Sequence, residues 1–305
     1  MTKNENRNPF EYQITPWEQV DISNHYMFRL VMENPDLCKI ALERILDIKI
    51  TKLKVLVAEK SIEYKYPSHG IRLDIYAEDD TGVAYDFEMQ ATDRDKNALG
   101  KRTRYYQSLM DGDALKKSTP YSKLRKSYVI FICKFDPFNR NFGYYTFNTW
   151  CDEDKSLSLE DGATKILLNT KGNKTGMSKE LKSFLEFIDT NSPTDEYTRC
   201  LANTVQTIKK DRGAQELYMT MEQQLMEVRE EMQQYVVAAD KRAEAAEQEA
   251  SKAKLQNITN IIKFSRKLNY TDEQIINQLI EDATLSRDEA TKVLAKYKQL
   301  GTLPL

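Results

Sequence analysis

Two short segments of this 305-residue chain place acids at alternate positions between apolar residues. In Ile71-Arg-Leu-Asp-Ile-Tyr-Ala77, a strand turns Ile71, Leu73 and Ile75 to one side and Arg72, Asp74 and Tyr76 to the other. In Val83-Ala-Tyr-Asp-Phe-Glu-Met-Gln90, Val83, Tyr85, Phe87 and Met89 share a side, and Asp86, Glu88 and Gln90 take the opposite one. Glu78-Asp-Asp-Thr-Gly82 between them reads as a turn, so the two segments form a hairpin. Pairing then brings Asp74 and Glu88 together on one face, at the end away from the turn. Two converging carboxylates repel unless a cation sits between them. Hard oxygen donors without His or Cys suit Mg²⁺ or Mn²⁺, which keep several waters and are held by a few carboxylates and a substrate phosphate. The plain alternative is a pair of acids on the solvated face of a half-exposed sheet.

Two neighbouring features favour the cation. Gln90 sets an amide on the same face as Glu88, able to orient a water or touch a phosphate. The segment that follows is basic: from Arg94 to Lys126 there are ten Lys and Arg against three Asp, in a chain whose formal charge is −2. Lys101, Arg102 and Arg104 lie in its helical part, interleaved with Tyr105 and Tyr106. Such a surface suits a phosphodiester backbone, the source of most sequence-independent nucleic-acid affinity.

The elements that must position these residues are legible from periodicity. Ser23 or Asn24 starts a helix that reaches about Asp47, with a break or restart at Pro35. Strands are predicted at Leu53–Val57 and at the two segments above. A helix follows from about Asp95 to Met110, and then the buried-type strand Tyr128–Cys133. Strand-like pieces at Phe142–Phe147 and Lys165–Leu168 and an amphipathic helix at Ser178–Asp189 continue the domain, which Asn191-Ser-Pro-Thr-Asp195 closes. The order is helix, three strands, helix, strand. Gly and Pro together number 18, few for a β-sandwich or propeller, so a mixed α/β chain is expected.

Beyond Gly213 the composition changes, and residues 214–300 hold no Gly or Pro. Tyr218, Met221, Leu225, Val228, Met232, Tyr235 and Ala239 recur at alternating three- and four-residue steps along one seam. This reads as a dimerising coiled coil, or as a solvated helix folding back on its own domain. Ile258–Leu300 reads as two helices around Ala283–Arg287, with Ser286 and Glu289 in capping-box positions; a helical hairpin is preferred to a helix-turn-helix reader because no basic recognition face stands out. The expected division is a polar lead-in (1–20), an α/β domain (21–195), a long helix (196–255) and a helical hairpin (256–305). Cys38, Cys133, Cys151 and Cys200 have no paired spacing, so neither a zinc site nor a disulfide framework is indicated. No apolar run approaches a membrane span, and the N-terminus is polar, so a cytoplasmic protein is expected.

The runs Arg72-Leu-Asp-Ile-Tyr-Ala77, Tyr85-Asp-Phe-Glu-Met-Gln90 and Lys101-Arg-Thr-Arg-Tyr-Tyr106 resemble the Rpn (recombination-promoting nuclease, putative transposase) family of the PD-(D/E)XK nuclease superfamily. The resemblance covers about residues 20–190 and implies the αβββαβ restriction-endonuclease-like core. It implies that Asp74 is the metal-binding aspartate, that Glu88 is the acid of the (D/E)XK element, and that Gln90 stands where the superfamily usually has lysine. It further implies that Arg102 and Tyr106 support the site or the phosphate, and that an acid from the first helix or strand completes the metal ligands. Glu59 is the choice for that acid, with Glu43 second. The function expected is a Mg²⁺- or Mn²⁺-dependent DNA endonuclease of low sequence specificity, linked to recombination, mobile elements or defence. Lys101, Arg102, Arg104 and Tyr106 would contact DNA, and the coiled coil would make a homodimer. The rival is a catalytically silent nuclease-like module that binds DNA or protein, which the exchange of lysine for glutamine leaves open.

Overall fold

The computed structural model of the chain describes residues 14–55, 74–93, 96–115 and 119–301. Glu59, the first three residues of the expected second strand (71–73) and Lys116 and Lys117 of the basic segment lie outside the described residues.

Local chemistry sets the element boundaries. The Asn24 side chain accepts from the amides of Tyr26 and Met27 and starts α1 (His25–Met32). Asn34 does the same for α2 (Pro35–Leu46), with Pro35 in the first turn, where its missing N–H costs nothing. Thus the expected helix restarts at Pro35. The strands are β1 (Leu53–Val55), β2 (Ile75–Asp79), β3 (Ala84–Gln90), β4 (Ser127–Cys133), β5 (Tyr144–Phe147) and β6 (Ala163–Asn169). Between β3 and β4 a short 3-10 turn leads into α3 (Leu99–Ala114), and β6 is followed by α4 (Lys179–Thr190) and α5 (Glu196–Lys209). The sheet order is β1-β2-β3-β4-β6-β5. Neighbours pair antiparallel except β3 with β4 and β4 with β6, which are parallel. A parallel neighbour needs a crossover, and α3 supplies it between β3 and β4.

Alternation divides the sheet into two faces. Ile75, Ala77, Tyr85, Phe87 and Met89 join the large core made with α1, α2, α4 and α5, where Phe28 and Phe87 meet edge to face at 4.9 Å. The opposite face carries Tyr76, Ala84, Val129, Phe131 and Cys133 against Leu99, Tyr106 and Met110 of α3. An ion pair holds α2 to the start of α5. Asp195 caps α5 through the Thr198 amide, and its carboxylate accepts from Arg44 at 2.7 Å. Burial opposes its charge, but the hydrogen bonds from Thr198 and Arg44 prevail and hold its pKa down at about 2.

Two compact units divide at Glu222 and Gln223. Where the sequence predicts one long helix from 196, the structure has α5 and then α6 (Arg212–Lys267). The break is stabilised by Asp211, whose carboxylate caps the amides of Gly213 and Ala214. The start of the predicted seam belongs to the first unit: Tyr218 is fully buried, its ring 5.3 Å from Trp17 and 5.7 Å from Tyr26, and its hydroxyl donates to the Thr15 carbonyl.

In the second unit, Ile258 and Ile262 of α6 pack with Ile275 and Leu279 of α7 (Asp272–Ala283) and with Leu294 of α8 (Arg287–Leu300). The tail therefore has three helical segments where two are predicted, the first being the end of α6. The turns between them use Asn269 and Thr284 at φ 58° and 54°, left-handed positions filled without glycine. Thr271 with Gln274, and Ser286 with Glu289, form capping boxes. Val228, Met232 and Tyr235 of the seam stand exposed.

The aromatic trio predicts where the chain can be cut. A chain ended at Glu222 should unfold in urea with about 3–5 kcal/mol more stability than one ended at Gly213, because only the longer keeps Tyr218 against Trp17. Trp17 fluorescence reads the transition, and equal stability of the two would show that Tyr218 contributes nothing there.

Candidate active site

The register of the β2–β3 hairpin decides which side chains meet. It is set at the turn by Asp79, whose Oδ1 accepts from the amides of Thr81 and Val83 and from the Thr81 hydroxyl, while Oδ2 accepts from the Tyr85 hydroxyl at 2.7 Å. β2 accordingly runs two residues into the segment read as turn, and the chain reverses through Gly82 at φ 86°, a value that disfavours any side chain. Ile75 then lies opposite Phe87 and Tyr76 opposite Asp86. One step further, Asp74 faces Glu88: the Asp74 amide donates to Glu88 Oε1 at 2.7 Å, and the Met89 amide donates to Asp74 Oδ2 at 2.9 Å. A slip of one residue would send every acid to the apolar core.

The acids face α3. Arg102 reaches from that helix to three groups at once. Its Nη1 donates to Gln90 Oε1 at 2.7 Å, its Nη2 donates to the Tyr106 hydroxyl at 3.1 Å, and Nη2 lies 3.9 Å from Glu88 Oε2. The guanidinium also sits over the rings of Tyr106 and Phe131, which stack at 5.8 Å. Burial works against its charge, but Tyr106, Glu88 and Asp74 outweigh it and raise its pKa. The Gln90 amide is further pinned by donating to the Thr92 carbonyl at 2.8 Å.

A third acid shares this face. Asp86 is fully buried, and neither of its oxygens meets a hydrogen-bond donor. Its polar neighbour is the Glu88 carboxyl, and two carboxyl groups bond only by sharing a proton. Burial first, then mutual repulsion, raises the pKa of Asp74, Asp86 and Glu88 well above the usual carboxylate range. Alternation in the sequence places Asp86 on the acid side; its burial without a donor is what the sequence does not show.

The other expected residues fall as follows. Lys101 and Arg104 are exposed, on positions of α3 that do not pack on the sheet. Arg125 of the basic segment is already paired with Glu78 at 2.7 Å. Glu43, the second choice for a further acid, accepts from the Ile50 amide and does not join Asp74 and Glu88. Burial pushes the Cys38 and Cys133 thiols up to about 12, so neither offers a thiolate. Among the described residues no group of three or more His, Cys, Asp and Glu side chains is arranged to hold a metal ion. Asp74 and Glu88 each give an oxygen to a backbone N–H of the opposite strand. The two facing acids nevertheless offer oxygen donors, the kind a hard divalent cation takes.

A mixed sheet thus carries two facing acids opposite an arginine-bearing helix. The chain belongs to the PD-(D/E)XK nuclease family transposases, whose family model matches it over residues 22–261. No curated protein and no solved structure matches it. No helix among the described residues is long and apolar enough to cross a membrane.

The contact between Gln90 and Arg102 predicts the effect of restoring the superfamily's lysine. Gln90→Lys sets an ammonium against the guanidinium and should cost about 1–3 kcal/mol in thermal unfolding. Adding Arg102→Gln to the same chain should recover most of that loss. A Gln90→Lys single variant as stable as the wild type would contradict the contact.

Proposed function

We propose that this protein is a divalent-metal-dependent DNA endonuclease of low sequence specificity, acting in recombination, mobile-element movement or defence. The observation that carries this reading is the register that sets Asp74 opposite Glu88 on the face covered by α3. Asp74 and Glu88 would hold Mg²⁺ or Mn²⁺. A divalent ion bound there supplies an activated water and counter-charge for the scissile phosphate.

The chain's own groups do the rest. Arg102 brings a positive charge to the edge of the acids, where the usual lysine is replaced by a neutral amide, and so balances charge developing on a phosphate. Gln90 keeps one N–H and one lone pair beyond those used by Thr92 and Arg102, enough to orient a water. Lys101 and Arg104, exposed on the outer side of α3, would attract the backbone of DNA; such contacts position but do not specify sequence.

The experiment is plasmid nicking with Mg²⁺ or Mn²⁺ by the wild type, Asp74→Ala and Glu88→Ala. Both variants should lose at least a hundredfold in rate. Equal nicking by all three would mark a contaminant and end the assignment. Salt-dependent DNA binding with no cleavage by the wild type would make the protein a silent binding module instead.

We also propose a homodimer through the seam of α6 from Leu225 to Ala239, where Val228, Met232 and Tyr235 are exposed. Light scattering should give a dimer for the full chain and a monomer for the chain ended at Glu222. Equal association states would refute it.

A further inference from the structure

The row of the sheet that holds Glu88 ends in exposed aromatic rings. Register carries Glu88 of β3 across Phe131 of β4 and Leu167 of β6 to Tyr145 of β5, the edge strand. Directly paired residues share a face, so Tyr145 lies on the α3 side, three strand spacings or about 14 Å from Glu88. Two rings from the loop between β4 and β5 meet Tyr145 edge to face, Phe138 at 4.9 Å and Phe142 at 5.7 Å. Phe147 of β5 lies 5.3 Å from Phe138. Tyr145 is buried, but Phe142 is 59% exposed, Phe147 42% and Phe138 37%.

The loop that displays these rings is fixed by its own hydrogen bonds. Asp136 accepts from the amides of Phe138 and Asn141 and from the Tyr145 hydroxyl, and the Phe142 amide donates to that same hydroxyl. Asn139 and Asn141 take left-handed φ values of 53° and 58°, so the chain turns on either side of Arg140. A contiguous exposed apolar patch marks a binding surface. Its occupant is argued from charge and position. Arg140 stands exposed between Phe138 and Phe142 and forms no ion pair among the described residues, so aromatic and basic groups alternate as a nucleic-acid strand requires. A strand whose phosphate reaches Glu88 spans the distance to the rings in about four nucleotides, at ~3.4 Å each. Paired bases inside a duplex leave no ring face open to a side chain, so the rings select unpaired ones. Trp150, further along the chain, is set apart by the acids Asp152, Glu153 and Asp154 that follow it.

We propose that Phe138, Phe142 and Phe147 form a stacking platform for unpaired bases, so that the substrate is DNA with a single-stranded segment beside the cut. This rests on the nuclease reading given above and adds to it the strandedness of the substrate. Every base has a ring face, so such a platform holds a strand without reading its sequence.

The test is binding of the full-length chain to a fluorescent thymidine oligonucleotide and to a blunt duplex, read by anisotropy in EDTA. Wild type should bind the single strand. Phe142→Ala, which removes the most exposed ring, should bind the single strand about fivefold or more weakly with duplex binding unchanged, and Phe142→Trp should recover the loss. Equal single-strand binding by Phe142→Ala and wild type overturns the inference. So does an equal loss on strand and duplex, which marks a structural ring. A smaller association state of Phe142→Ala in light scattering makes the patch a protein interface instead. Wild type that binds the duplex but not the single strand sinks this inference alone, whereas binding to neither takes the nuclease reading with it.

Discussion

The side chain of Asp79 governs where this protein keeps its charge. By gathering the Thr81 and Val83 amides and the Tyr85 hydroxyl, it fixes the reversal between β2 and β3 and therefore their register. A strand has only two sides, so one register sends Phe87 and Met89 into the large core and turns Asp86, Glu88 and Gln90 towards α3. Everything chemical in the first unit follows from that partition. A turn that costs the chain one aspartate thus settles the placement of three other acids.

Against this acidic face stands a cation held in an aromatic clamp. Arg102 lies over Tyr106 and Phe131 and bonds Gln90. Its planar fork lets one side chain serve an amide, a hydroxyl and a carboxylate together, which an ammonium on a flexible stem does less well. The amide at position 90 and the arginine on α3 are thus one device, and neither is understood without the other.

Much of this was legible in the sequence, for physical reasons that differ by element. Alternation in β2 and β3 was read correctly because one face is apolar and the other charged. Of Ser23 and Asn24, read as alternative helix starts, Asn24 is the one whose short side chain satisfies the first free amides. Other features were hidden. The spacing of Tyr218 fits a coiled-coil seam, and periodicity does not say whose core a residue enters; the aromatic partners Trp17 and Tyr26 lie some two hundred positions away. The turns at Asn269 and Thr284 carry left-handed residues without the glycine that normally marks them, so the helix boundary before α7 went unread. Charge counting overstated the basic surface, because Arg102 and Arg125 are spent on partners within the fold.

The clamp between Arg44 and Asp195 has a consequence for behaviour in acid. Asp195, with its pKa held at about 2, contributes stability that is fully present above the ordinary carboxylate range and fades only as the medium falls through that value. The acids beside Arg102 titrate in the opposite sense, taking up protons well before ordinary carboxylates do. The clamp at Asp195 thus keeps its charge far into acid, while burial favours the protonated form of the acids beside Arg102.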